Sequence, residues 1–152
     1  MTDRTVVHSS FTLERDYAAP PARVFAGFST KEQKEKWFGH PDFPPAIWDF
    51  DFREGGREYS SGEFHGLNST FDAIYHDIVQ DERIVFSYTM HFGDDKLSAS
   101  LQSLEFIPTA TGTRLVLVEH GAYLDGNDKP GLREEGTRGL LEQLAALVDG
   151  GL

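Results

Sequence analysis

From Trp48 to His120 the chain reads as one strand after another, with no gap long enough to hold a crossover helix. Trp48, Phe50 and Phe52 share one face of the first strand and Asp49, Asp51 and Arg53 the other, the period-two alternation of a half-buried strand. This register predicts that the three aromatics are mostly buried while Asp49 and Asp51 are exposed. Gly55-Gly56 follows as a hairpin signal. Further strands are predicted at 57–64, 69–79, 83–92, 97–107 and 113–120, broken at 66–68, 80–82, 93–95 and 109–112. A parallel pair needs a crossover of about a dozen residues or more, so gaps this short commit the chain to an antiparallel meander.

Upstream, Phe11, Leu13 and Tyr17 alternate with Thr12, Glu14 and Asp16 as one more strand. Pro20-Pro21 ends it and opens a helix, because the fixed φ of proline suits a first turn. Val24, Phe25 and Phe28 then fall at helical spacing. Ser29-Thr30-Lys31-Glu32 has the form of a capping box, starting a second short helix that ends near Trp37-Phe38-Gly39. Residues 40–46 form a proline-rich loop and residues 124–129 a polar one. Leu132, Gly136, Leu140, Leu144 and Val148 recur every four residues with Leu141 and Leu147 beside them, so the last element is an amphipathic helix. Six consecutive antiparallel strands twist and coil, and only the last helix is long enough to cover their concave face. The expected fold is α+β, one domain over 1–152.

Composition removes several function classes. A chain of 152 residues buries roughly 70% of its unfolded surface, enough for a full core beside a cavity. The formal net charge of -11, with no basic stripe, disfavours nucleic acid and anionic membrane surfaces. Zero Cys excludes disulfides, thiolate nucleophiles and Cys-based zinc sites. The histidines, at 8, 40, 65, 76, 91 and 120, show neither His-x-His nor His-Glu-x-x-His spacing, so no metal is expected. No phosphate loop or dinucleotide fingerprint implies a cofactor, and Ser60-Ser61 lacks a nucleophile elbow. No apolar run approaches the ~20 residues of a membrane span. No apolar leader follows Met1, so the expected location is cytoplasmic.

The order of elements, with its local motifs, resembles the START-like (SRPBCC, polyketide-cyclase-like) helix-grip superfamily. Within it the chain is similar to the activator of heat-shock-protein-90 ATPase (AHSA) homology family. The resemblance runs through Phe11-Thr12-Leu13-Glu14-Arg15, Ala19-Pro20-Pro21-Ala22-Arg23-Val24-Phe25 and Trp37-Phe38-Gly39. It continues in Asp51-Phe52-Arg53-Glu54-Gly55-Gly56-Arg57, Asp81-Glu82-Arg83-Ile84-Val85-Phe86 and Gly112-Thr113-Arg114-Leu115. Glu119-His120-Gly121-Ala122-Tyr123-Leu124-Asp125-Gly126 and Glu135-Gly136-Thr137-Arg138 complete it. Each motif is weak alone; their collinear order is specific. The resemblance implies a curved antiparallel sheet, two short helices after the first strand, and a long C-terminal helix closing a cavity. Many relatives resemble a Gly-Trp pair where this chain has Gly136-Thr137, which either enlarges the cavity or is filled by repacking. No shared catalytic triad or metal motif is carried over.

Trp48 and Phe50 on one strand, and Ile84, Phe86, Tyr88 and Met90 on another, form aromatic faces that serve as core, as pocket wall, or as both. Tyr75 and Tyr88 are expected to hydrogen-bond a ligand. Glu119 and His120 cannot both enter the cavity from one strand, and alternation alone does not choose between them. The resemblance favours Leu115, Leu117 and Glu119 facing inward. A carboxylate at a cavity mouth has a raised pKa and is a candidate acid or base, although the plain reading is a surface or ion-paired glutamate. Arg133 could fork onto a ligand carboxylate or phosphate, whereas the plain reading pairs it with Glu134 or Glu142. Gly136 and Gly139 each cost the helix roughly 1 kcal/mol, which suggests a close strand or space left for a ligand. The candidate ligand-binding set is Trp37, Phe38, Trp48, Phe50, Tyr75, Phe86, Tyr88, Met90, Glu119, Tyr123, Arg133 and Gly136, with no catalytic residue assigned.

The leading functional expectation is a module that binds a hydrophobic or aromatic small molecule. One alternative is a cyclase- or hydrolase-like enzyme working in the cavity. The other, implied by the resemblance, is a domain that engages a heat-shock chaperone in the stress response.

Overall fold

The computed structural model describes residues 4–149. In chain order it contains β1 (Val6–Tyr17), α1 (Pro21–Ser29), α2 (Lys31–Lys34), β2 (Ile47–Phe50), β3 (Arg57–Phe64), β4 (Leu67–Val79), β5 (Arg83–Phe92), β6 (Asp95–Thr109), β7 (Gly112–Leu124) and α3 (Pro130–Val148). The seven strands form one sheet in the order β1-β7-β6-β5-β4-β3-β2, every pair antiparallel. β2 to β7 are therefore a meander, and β1 returns to pair with β7 across the helices. The meander is the one expected from the spacing of the turns, and the whole is the helix-grip fold implied by the family resemblance. Register shifts between Tyr75 and Asp77 and between Met90 and His91 add bend where the sheet curves.

α3 lies in the concave face. Leu141, Leu144, Ala145 and Val148 of α3 join one core cluster with Leu13 of β1, Phe25 and Phe28 of α1, and Leu104, Phe106, Leu115 and Leu117 of the sheet. The far end of α3 is tied down by polar contacts. The Tyr17 hydroxyl donates to the Leu141 carbonyl at 3.0 Å, and Asp149 accepts from the backbone N–H groups of Ala18 and Ala19. Gly112 closes the β6–β7 turn with a φ of +155°, and a Cβ there would lie 2.0 Å from the Tyr17 carbonyl oxygen. No side chain fits where that turn meets the end of β1.

Several local expectations need correction. β2 stops at Phe50, and residues 51–56 make a loop, so Gly55-Gly56 is not a two-residue hairpin turn. Asp49 and Asp51 are exposed as expected, but Trp48, Phe50 and Phe52 are only half-buried, because β2 is an edge strand and Phe52 lies in the loop beyond it. The break at 66–68 is shorter than expected: His65 and Gly66, both at positive φ, carry the turn alone as a type I′ hairpin requires. The buried stripe of α3 is Thr137, Leu141, Leu144, Ala145 and Val148, while Leu132, at 60% exposure, sits outside it.

The α2 cap is displaced by one residue from the box read at Ser29. Thr30 is the N-cap, its Oγ1 accepting from the Gln33 N–H at 3.3 Å. Thr30→Ala is expected to cost about 1 kcal/mol, measured as a lower denaturant midpoint at unchanged slope.

Candidate functional site

Between the concave face and the first half of α3 lies a cavity of ≈ 650 Å³. β5 contributes Phe86, Tyr88 and Met90, whose spacing by two puts them on one face, and β4 contributes Phe71 and Tyr75. Trp37 and Phe38 close one side beyond α2, Trp48 another, and α3 supplies Arg133, Gly136, Thr137, Gly139 and Leu140. The rings pack edge to face or tilted, with Phe38 and Phe71 5.1 Å apart and Phe71 and Tyr88 5.0 Å apart. Cβ atoms built on Gly136 or Gly139 would meet nothing within 4 Å. These glycines leave open space on the helix face and are not sites of close strand approach. Thr137 lines the cavity and spends its hydroxyl on the Arg133 carbonyl.

Two polar clusters interrupt the apolar wall. At the first, Tyr88 is the hinge: its hydroxyl accepts from Arg133 Nη1 at 3.0 Å and donates to Glu119, 2.9 and 3.0 Å from the two carboxylate oxygens. Gln102 donates to Glu119 Oε1 at 2.8 Å. Arg133 Nη2 donates to Ser98 and to Asp128, each at 2.8 Å, and its guanidinium lies over the rings of Tyr88 and Tyr123. Burial pushes the Glu119 carboxyl above its ordinary range, against the opposing pull of the Gln102 and Tyr88 hydrogen bonds and the Arg133 charge. Burial, reinforced by the Glu119 charge, pushes the Tyr88 phenol up as well, so it stays a neutral donor.

The second cluster was not foreseen. Lys34, only 4% exposed, places its ammonium 2.6 Å from Glu58 Oε1. Glu58 is wholly buried and also accepts from the Tyr75 hydroxyl at 2.6 Å and from Trp48 Nε1 at 3.1 Å. The Phe38 ring faces the ammonium with its centroid at 4.5 Å, a cation–π contact.

Of the twelve candidate ligand-binding residues, nine line the cavity: Trp37, Phe38, Trp48, Tyr75, Phe86, Tyr88, Met90, Arg133 and Gly136. Phe50, Glu119 and Tyr123 do not. Phe50 stacks on Phe52 at 6.0 Å, Glu119 lies behind Tyr88, and Tyr123 lies beneath the Arg133 guanidinium. Glu119 is not a surface glutamate, since β7 turns Leu115, Leu117 and Glu119 inward and leaves His120 exposed. Arg133 pairs with neither Glu134 nor Glu142, which bond Arg138 and Arg15 instead. The Tyr75 hydroxyl donates to Glu58, not to open space.

With this geometry in place, residues 18–149 match the family described as Activator of Hsp90 ATPase homolog 1-like protein. The chain belongs to that AHSA1 family. Its fold is shared by an uncharacterised protein of Rhizobium leguminosarum, 36% identical over 97% of this chain and 98% of that one, with a TM-score of 0.92. A protein of Rhizobium loti is 48% identical, covering 93% and 98%, with a TM-score of 0.87. One from Chromobacterium violaceum is 29% identical, covering 92% and 96%, with a TM-score of 0.78. No curated protein matches the chain. Among the described residues of this AHSA1 domain no helix is long and apolar enough to cross a membrane.

The AHSA1 cavity also limits what Glu119 can do chemically. The carboxylate is behind the wall, and Tyr88 and Gln102, which line the cavity, are the side chains that hydrogen-bond it.

Proposed function

We propose that this AHSA1-type domain binds a hydrophobic or aromatic small molecule in the cavity beneath α3. The observation that carries this reading is the cavity itself: ≈ 650 Å³ walled by aromatic rings and two polar clusters. Ligand sites are about 300–1,000 Å³, mostly apolar, with a few placed polar groups. Gly136 supports it further, because it lines the cavity at a cost to the helix, and a Cβ there would meet nothing within 4 Å.

Gly136→Phe gives the test. The new side chain starts in open space and fills the cavity from the helix side, and loss of a mid-helix glycine favours the helix by up to about 1 kcal/mol. The variant is expected to melt no lower than the parent. A library of hydrophobic compounds screened by thermal shift should yield ligands that stabilise the parent by about 2.7 kcal/mol at a hundred times their Kd. Those shifts should vanish in Gly136→Phe. Shifts that persist in the variant, or a library without a hit, would refute the proposal.

A further inference from the structure

Among the described residues, only two lysine or arginine side chains line the cavity, Lys34 and Arg133, and neither has charge to spare. Lys34 is held 2.6 Å from Glu58. Arg133 is held 2.8 Å from Asp128 and 3.9 Å from Glu119, and three of its five N–H groups donate to Tyr88, Ser98 and Asp128. These two cations thus face three partner carboxylates, Glu58, Asp128 and Glu119, and Glu63 adds a fourth carboxylate to the lining. Whether or not Glu119 takes up a proton, neither Lys34 nor Arg133 lacks a carboxylate partner.

We propose that the cavity selects uncharged aromatic molecules and excludes carboxylates and sulfonates. This rests on the cavity being the ligand site. An anion entering it would either stay buried without a counterion or pull a cation from its internal partner, and both are costly out of water. The -11 charge of the chain opposes its approach as well. A neutral ring system meets no such penalty and gains contacts with Phe71, Phe86 and Tyr88. Arg133, the residue whose type suggests a fork for an anionic ligand, is therefore a selectivity element: Asp128 and Glu119 keep it occupied.

Two fluorescent dyes with one ring skeleton separate the cases. N-phenyl-1-naphthylamine is neutral; 8-anilino-1-naphthalenesulfonate adds a sulfonate. Each is titrated into the wild-type chain and into Gly136→Phe, and only the signal lost in that variant is counted as cavity binding. The neutral dye is expected to bind the cavity at least about tenfold more tightly than the sulfonate, the margin of one unfavourably buried charge. Asp128→Asn, which uncovers Arg133 without changing side-chain size, should narrow that gap by raising sulfonate affinity. Equal cavity affinity for the two dyes, or a gap that Asp128→Asn leaves untouched, would overturn charge selection while leaving the cavity as a binding site. If neither dye gives a signal that Gly136→Phe removes, the binding reading falls, and this one with it.

Discussion

Replacing Glu58 with alanine is expected to destabilise the protein by about 3–5 kcal/mol, the range for removing one partner of a buried ion pair. Glu58 is wholly buried on β3 and serves three donors at once: the Lys34 ammonium, the Tyr75 hydroxyl and the Trp48 indole N–H. Its loss strands a nearly buried ammonium with only a 3.4 Å contact to Tyr75 and the faces of aromatic rings. Lys34→Met should cost a similar amount, since it leaves the Glu58 carboxylate without a counterion. In a chain of this size each kcal/mol moves Tm by about 2–4 °C, so either single change should be plain in a melt. The double variant Lys34→Met with Glu58→Gln buries no charge and keeps one acceptor oxygen, which can serve Tyr75 or Trp48. It is expected to recover most of the loss, a non-additivity that marks a coupled pair. A penalty below about 1 kcal/mol for Glu58→Ala would show that the pair is not sealed from water.

That pair also shows where the sequence stops being readable. The strands β3 and β5 lie where alternation and turn residues place them, because their patterns are local and their turns short. Glu58 carries no such mark. Its inward position follows from the β2–β3 register, in which Phe50 faces Glu58 and Trp48 faces Ser60. Once Trp48 and Phe50 are assigned to the cavity face, the same register puts Glu58 there too, but the six-residue loop at 51–56 hides it. Lys34 is harder still. On a one-turn helix its periodicity says nothing, and it is buried by tertiary neighbours, Glu58 of β3 and the rings of Phe38, Phe50 and Phe71.

The α3 face misleads for a different reason. Every-fourth-residue spacing links Leu132 to Leu140 through Gly136, yet the N-terminal half of the helix fronts the cavity and its C-terminal half the core. A stripe that changes environment midway has no single apolar face, so Leu132 is exposed where an uninterrupted core would have buried it. On β7 alternation narrows the choice to two faces, and family resemblance, not spacing, selects the one that carries Glu119.

Arg133→Met is expected to destabilise the fold by about 3 kcal/mol near neutral pH, and the penalty should shrink on acidification. Methionine keeps much of the stem's packing but takes the cation from beside Glu119 and Asp128. Burial already holds the Glu119 carboxyl above its ordinary range, and Arg133 is one of the forces opposing that rise. Without Arg133 the carboxyl rises further. Between the ordinary carboxyl value and that raised one, the folded chain holds a proton that the unfolded chain has released. Stability therefore falls as pH increases through this window, and is restored as pH drops towards the ordinary value near 4.3. Denaturant titrations of parent and variant at several pH values between about 5 and 8 would measure it, with the difference largest at the alkaline end. Adding Glu119→Gln to Arg133→Met removes the titrating group, so the double variant should lose the extra pH dependence. A penalty equal at every pH would mean that Arg133 contributes packing and hydrogen bonds to Tyr88 and Ser98, and that Glu119 is neutral in the parent as well.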